Sequence, residues 1–298
     1  MSHDYQITMR FCPPPEDLRR YFTTFYVSEI DPGSAGVLHD SLHPEWAGMR
    51  IFSPIGPKSW NGKGDFIDNA RFLTQGPSSN PIHFEMPKTR LWGFGLLPLG
   101  WAKFVRLPAA EFANRICDGF THPGCEPFRP LAAALFGETA DEPAELERLI
   151  AFFRSFPAKD PVDQNRILAI HAALVDPQVS TVQELVSRVA ASQRTVERIS
   201  YKHFGFSPKL LLRRQRFMRS LAQFMLDPSL KWIGAMDCHY HDQAQFVRDF
   251  REFMGLSPRE YSSSPHPVLD RFIQERNKAL ASAVQTLDRP SGQGDLAA

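Results

Sequence analysis

The sequence has no run of eighteen uninterrupted apolar residues, so nothing in it is expected to cross a bilayer as a helix. Cysteine is scarce: Cys12, Cys117, Cys125 and Cys238 are scattered without a short paired spacing. That argues against a disulfide framework and for reduced thiols. The first residues carry no basic stretch followed by an apolar stretch, so no secretory signal is expected and a cytoplasmic location is. No glycine-rich phosphate loop, dinucleotide fingerprint or G-x-S-x-G elbow occurs. No His-x-His pair precedes residue 178, which disfavours a metal-dependent barrel oxygenase. These absences set aside membrane spans, disulfide scaffolds and the commonest nucleotide and hydrolase chemistries. What remains is an ordinary globular composition, 43% hydrophobic and 22% charged over 298 residues, long enough for two cores.

Prolines number 25, and most fall before residue 180. The first half therefore reads as loop- and strand-rich and the second as helical. Met49–Ile55, Asn69–Gln75, Ile82–Met86 and Trp92–Leu97 are short, apolar and bounded by breakers, as strands are. From about Ala110 the pattern turns helical, with amphipathic stretches at Glu145–Phe153 and Asn165–Val175. The net charge of +1 is uneven. Between residues 178 and 262, thirteen Lys and Arg stand against eight Asp and Glu, leaving −4 elsewhere. A basic module on a slightly acidic body suits a polyanionic partner for one domain.

The chain repeats itself at an offset of fifty. Phe204-Gly205-Phe206-Ser207-Pro208 returns as Met254-Gly255-Leu256-Ser257-Pro258, and the same shift superposes Gln193 on Gln243 and Arg198 on Arg248. Each copy reads as helix, tight turn, helix, stop. Val182, Leu185, Val186 and Val189 form one apolar stripe, and Ser192 caps the next helix, whose inner face is Val196, Ile199 and Phe204. In the second copy Trp232, Ile233 and Met236 supply the first helix. Asp242 caps the second, with Gln245 completing a capping box and Phe246, Phe250 and Phe253 buried. Gly205 and Gly255 stand where a left-handed residue ends a helix. Between the copies, Ser207-Pro208 opens a helix that continues unbroken until Asp227-Pro228. About twenty residues span roughly 30 Å, near the 34 Å or so between successive major grooves on one face of B-DNA.

At these residues the chain resembles the AraC/XylS family of transcription regulators. The stretch His239-Tyr240-His241-Asp242-Gln243-Ala244-Gln245-Phe246-Val247-Arg248-Asp249-Phe250, followed by Gly255-Leu256-Ser257-Pro258, carries the family's pattern through its second helix-turn-helix. Two residues depart from it. His239 replaces the usual turn glycine, which predicts a turn avoiding a positive φ or tolerating it at a cost. Ser200 replaces an aromatic core residue, which predicts looser packing of the first unit. The resemblance implies an α+β chain with a cupin-like N-terminal β-barrel (1–120), a helical connector that serves dimerisation (121–177) and an all-α double helix-turn-helix domain (178–264). A C-terminal helix with a tail is expected over 265–298, and the small, polar residues after Leu287 predict that the tail is disordered. The resemblance also implies a homodimer; an activator is expected, with repression left open as the alternative. RNA polymerase and a small-molecule effector stay open as partners beside double-stranded DNA, and no cofactor is implied.

Gln193, Arg194, Thr195, Arg198 and Lys202 in the first copy, and Gln243, Gln245, Arg248 and Arg251 in the second, are the expected DNA contacts. Arg pairs with guanine and Gln with adenine in the major groove, while Lys and the remaining Arg clamp phosphates. The plainer alternative is a solvated helix face. Arg213, Arg214, Arg216 and Arg219 on the long helix cannot all face DNA, so some are expected to pair with acids of the body. Trp46, Phe52, Trp60, Phe84 and Trp92 crowd the β-rich half, and an apolar effector pocket and ordinary core packing account for them equally well. Cys238, His239 and His241, and the pair His39 and His43, invite a metal reading. The first set lies in a crowded turn and the second in a loop, so no metal is expected. Two other classes remain open: an enzyme whose barrel does chemistry, and a sensor whose helix-turn-helix units bind protein.

Overall fold

The computed structural model describes residues 4–290. Ten strands come first: β1 (Gln6–Cys12), β2 (Phe22–Asp31), β3 (Leu38–Leu42), β4 (Gly48–Ser53), β5 (Lys58–Asn61), β6 (Phe66–Ile67), β7 (Phe72–Gln75), β8 (Ile82–Met86), β9 (Thr89–Leu96) and β10 (Ile116–Asp118). One sheet has the order β1-β2-β9-β4-β7-β10 and the other β3-β8-β5-β6. The four strands expected from the sequence correspond to β4, β7, β8 and β9, shifted by up to three residues at their ends. Alternating burial along β8 and the fully apolar inner stretch of β9 follow from a sheet covered on one or both faces.

The chain is α+β, as expected, but the expected barrel is not closed. Two antiparallel sheets face each other across Phe11, Tyr26, Ile30, Phe52, Ile82 and Phe84. β1 ends the larger sheet and β3 the smaller, and no ladder joins them among the described residues. A helix from the far end of the chain, α11 (Pro267–Leu280), packs against both strands instead. It inserts Val268 into the sheets' shared core and sets the ring of Phe272 edge-on to Phe11 and Tyr26, at 4.9 and 5.1 Å between centroids. An apolar helix face thus seals a gap that strand pairing would otherwise have closed.

The other helices are α1 (Pro98–Gly100), α2 (Arg129–Ala134), α3 (Glu142–Arg154), α4 (Gln164–Val175), α5 (Val182–Val189), α6 (Gln193–Phe204), α7 (Pro208–Leu226), α8 (Lys231–Ala235), α9 (Gln243–Met254) and α10 (Pro258–Ser263). The helical region starts later than Ala110, because β10 first returns to pair with β7. α3 is fastened to β9 by a buried carboxylate: Glu145 accepts Trp92 Nε1–H at 2.7 Å and Arg90 Nη1–H at 2.8 Å. Breaking that pair would strand a charge in the core. Phe153 of α3 stacks among Phe22, Phe25, Phe94 and Phe104.

The first helix-turn-helix unit has no core of its own. Leu185, Val196, Ile199 and Phe204 belong to the same buried cluster as Trp46, Trp92 and Phe153. The second unit has a separate core of Phe217, Phe246, Phe250, Phe253 and Tyr261, joined by Ala283 and Val284 from beyond α11. The tail expected to be disordered after Leu287 begins otherwise. Asp288 pairs with Arg276, whose side chain is wholly buried, and the rest of that tail from residue 291 lies outside the described residues.

Candidate nucleic-acid interface

α5 and α6 form the first unit and α8 and α9 the second, joined by α7. The caps form largely as their residues dictate. Thr181 and Glu184 close a reciprocal capping box on α5, Ser192 Oγ accepts Thr195 N–H on α6, and Asp242 accepts Gln245 N–H at 2.6 Å on α9. Gln245 Oε1 takes the N–H of His241 rather than that of the cap residue itself. Gly205 and Gly255 end α6 and α9 at φ +83° and +73°, where a side chain would be strained. α7 runs 19 residues, about 28 Å at 1.5 Å per residue.

The two departures from the family pattern have physical consequences. His239 avoids a positive φ. Its N–H and its Nδ1 both meet Asp237 Oδ1, at 2.9 and 3.0 Å, so a side-chain carboxylate organises the turn a glycine would have made. In the first unit Ala190 takes the left-handed conformation, at φ +51°. Ser200 is wholly buried with its hydroxyl unpartnered, the looser seat that its small size implies. The first helix of the second unit is shorter than expected: α8 has only five residues, and Met236 lies just past its end, while Ile233 is 73% exposed and Trp232 stacks on Phe224 at 3.7 Å. A helix this short turns only one side to the core.

On α6, Gln193, Arg194, Arg198, Tyr201 and Lys202 lie on the outer face, and Thr195 is half-buried with its hydroxyl against Ser192. On α9, Gln243, Arg248 and Arg251 are exposed. Arg194 and Arg248 make no hydrogen bond or ion pair among the described residues, whereas the other polar groups of α6 are partly engaged. Gln193 donates to Glu197 at 2.9 Å, and Asp163 at the start of α4 meets Lys202 at 3.1 Å, His203 at 3.3 Å and Arg198 at 3.8 Å. Burial alone would raise the Asp163 pKa. Hydrogen bonds from His203 and Lys202, with their charges, outweigh it and hold the carboxyl below its usual range. Nothing near α6 in sequence signals Asp163, which lies 35 or more residues upstream of the cations it holds.

All four arginines of the strut turn inward or sideways. Arg213 and Arg216 share Asp249 at 2.6 and 2.9 Å, and Arg219 bonds Asp237. Arg214 is wholly buried, 4.2 Å from the ring centre of Trp46, donating to the carbonyls of Ser78 and Glu45 at 2.9 and 3.3 Å. None of the four strut arginines is left free for a partner, whereas Arg194 and Arg248 on the second helices are exposed and unpaired among the described residues.

Residues 185–264 match the family described as "Helix-turn-helix domain". The chain carries an AraC-type DNA-binding domain. Solved structures that align with this chain include ToxT from Vibrio cholerae, at 12% identity over 87% of this chain and 97% of that one, with a TM-score of 0.42. An unsaturated fatty acid-bound form of wild-type ToxT aligns at 9% identity over 86% and 94%, TM-score 0.41. The AraC-like transcriptional activator CuxR aligns at 12% identity over 75% and 89%, TM-score 0.22. No curated protein sequence matches. The AraC-type domain includes α6 and α9, and thus every residue expected above to touch DNA.

The residues expected to line an effector pocket are not brought together. Trp46 and Trp92 lie in the cluster shared with the first unit, Phe52 and Phe84 lie between the sheets, and Trp60 stacks on His83 at 5.7 Å. Of the set Cys238, His239 and His241, from which no metal is expected, Cys238 and His239 gather their donor atoms with Asp237 and without His241. Cys117, His122 and Cys125 also converge, a grouping that sequence spacing does not suggest.

Proposed function

We propose that this protein is a sequence-specific transcription regulator whose two helix-turn-helix units, spaced by α7, enter successive major grooves of one duplex. One observation carries the reading. The outer faces of α6 and α9 repeat Gln and Arg at the same register, Gln193 with Gln243 and Arg198 with Arg248, while every arginine of the strut is used within the fold. Arg194, Arg248 and Arg251 read bases or clamp phosphates, and Gln193 and Gln243 read adenine edges. Thr195, Lys202 and Gln245 position the helices.

In the same reading residues 1–120 form the sensing part, 121–177 the connector, 178–264 the DNA-reading part and 265–298 a C-terminal element. The protein acts as a cytoplasmic homodimer, meets RNA polymerase as an activator, and does no chemistry of its own. Any effector enters between the sheets, where Phe52 and Phe84 line a cavity of about 40 Å³ together with Tyr26, Arg50 and Phe272. That space holds little more than one water, so an organic effector has to displace α11.

The test is capture of fragmented genomic DNA by the full chain at two salt concentrations. A few fragments enriched at both salts support the reading. Enrichment without selectivity, or none in the presence and absence of cell extract metabolites, overturns it.

A further inference from the structure

Cys117 ends the larger sheet on β10, opposite Thr74 of β7. The chain then wraps tightly: His122 N–H donates to Asp118 O at 2.9 Å, and Cys125 N–H to His122 O at 3.1 Å. Arg129 braces the wrap from outside, donating to the carbonyls of Gly119 and His122 at 3.4 and 3.2 Å. The result gathers one donor atom each from Cys117, His122 and Cys125 within 4.8 Å of one another. Cys125 is buried against Thr74 Oγ1, while Cys117 and His122 are half-buried.

We propose that Cys117, His122 and Cys125 form a zinc-class metal site. Two sulfurs and one imidazole nitrogen are the donors a borderline-soft d10 cation takes, and hard cations avoid them. With metal–sulfur bonds of about 2.3 Å, neighbouring donors of a tetrahedron lie roughly 3.8 Å apart, so small side-chain rotations complete the set. Both thiols bind as thiolates and release two protons, and the dication is neutralised by the two sulfurs. His122 Nδ1 accepts Gly124 N–H at 3.1 Å, which leaves the proton of the neutral ring on Nε2. An ion takes over the Nδ1 lone pair in place of that one hydrogen bond.

Cys117 and His122 border a surface groove of about 490 Å³ with Leu107, Glu111, Phe112, Arg115 and Ile116, which gives water or an outside ligand access to complete the coordination. The site also lies beneath the seat of the first reading helix. The ring of Phe112 meets His122 edge-on at 5.0 Å, and Phe112 closes the turn Ala109–Phe112 against which α6 packs. The cluster at Asp237, Cys238 and His239 is less suited, because Asp237 is committed to Arg219 and to the His239 ring.

The test uses the full chain, reduced and stripped of metal under anaerobic conditions, titrated with Co²⁺ and then Zn²⁺. One equivalent of Co²⁺ is expected, with thiolate charge-transfer and tetrahedral d–d absorption that Zn²⁺ abolishes. Cys117→Ser and His122→Ala, both at half-buried positions, should each weaken Co²⁺ binding at least about tenfold while unfolding at the parent's metal-free temperature. Cys238→Ser should bind as the parent does. Absence of the tetrahedral spectrum, its loss in Cys238→Ser instead, or recovery of Cys117 and Cys125 as a disulfide with no metal bound would each overturn the proposal.

Discussion

Asp40 caps α11 from a position 228 residues before Val268 in its first turn. Its Oδ2 accepts the N–H of Val268 at 2.9 Å and that of Leu269 at 2.8 Å, and Oδ1 faces His266 at 3.4 Å. The side chain is wholly buried, so a carboxylate on β3 satisfies the first turn of α11 and complements its dipole. The segment after the DNA-reading domain is thereby tied back to the β-rich half. Asp40→Ala is expected to cost about 1–3 kcal/mol and to open residues 265–280 to hydrogen exchange before the rest. Uniform loss of protection would mean that α11 has no separate opening.

The same corner should respond to pH in two opposed ways. Burial pulls the His266 pKa down, but the hydrogen bonds its ring donates to Asp40 and to the Tyr261 carbonyl, with the charges of Asp40 and Asp270, outweigh it and leave it raised. Its stabilisation is whole below the ordinary value of 6.5 and is lost as pH climbs through the raised one. His43, buried against the Tyr261 hydroxyl at 2.8 Å, is pushed down to about 3 by burial and by the charge of His266. Its contribution holds above 6.5 and is lost as pH falls toward 3. Melting temperatures against pH should show His266→Gln erasing a loss on the alkaline side and His43→Gln erasing one on the acid side. Identical profiles for both variants and the parent would refute the assignment.

In the proposed reading, Asp163 competes with phosphate for Arg198 and Lys202, which it holds in the free protein. Asp163→Asn should strengthen binding to any duplex and steepen its salt dependence, by up to about 2 in log–log slope if Arg198 and Lys202 are both released. An unchanged slope would mean that those side chains never reach the backbone of DNA.

Arg248 is exposed and free of acidic partners. Arg248→Ala should cost on the order of 1–3 kcal/mol on the preferred site and much less on unrelated DNA. Equal losses on both, measured by competition binding, would reassign it to phosphate.

Arg214 is buried with Nε and Nη2 unpartnered, and burial lowers its pKa to about 9. No carboxylate bonds it; Glu45 is turned to Arg50 at 3.0 Å. Arg214→Met should therefore be neutral or stabilising by about 1 kcal/mol, whereas Arg214→Ala destabilises by leaving a cavity over Trp46. Chemical denaturation that ranks the two variants the other way round would show that the guanidinium charge is itself required.

Much of the DNA-reading half is legible residue by residue. The serine and aspartate caps, the two left-handed glycines, the Ser-Pro start of α7 and the Asp-Pro stop act within one helical turn, so spacing alone places them. Ser200, His239 and Ile233 are as visible, but their outcomes depend on neighbours. Ser200 keeps an empty hydroxyl, His239 borrows Asp237, and Ile233 points to solvent because α8 is too short to turn it inward. The aromatics of the β-rich half could be named from composition yet not sorted, since alternation tells which face a residue takes and not which cluster that face meets.

The sequence by itself determined the repeat, the strut and the outward Gln and Arg of α6 and α9, because caps, breakers and helical periodicity are short-range. Only the tertiary structure decided that Asp163 holds the cations of α6, that Arg214 is buried against the ring of Trp46, that α11 seals two sheets instead of a barrel closing itself, and that Cys117, His122 and Cys125 meet. Those pairings join groups brought together by chain reversal and packing, and no local spacing records a contact whose partners are chosen by the whole core.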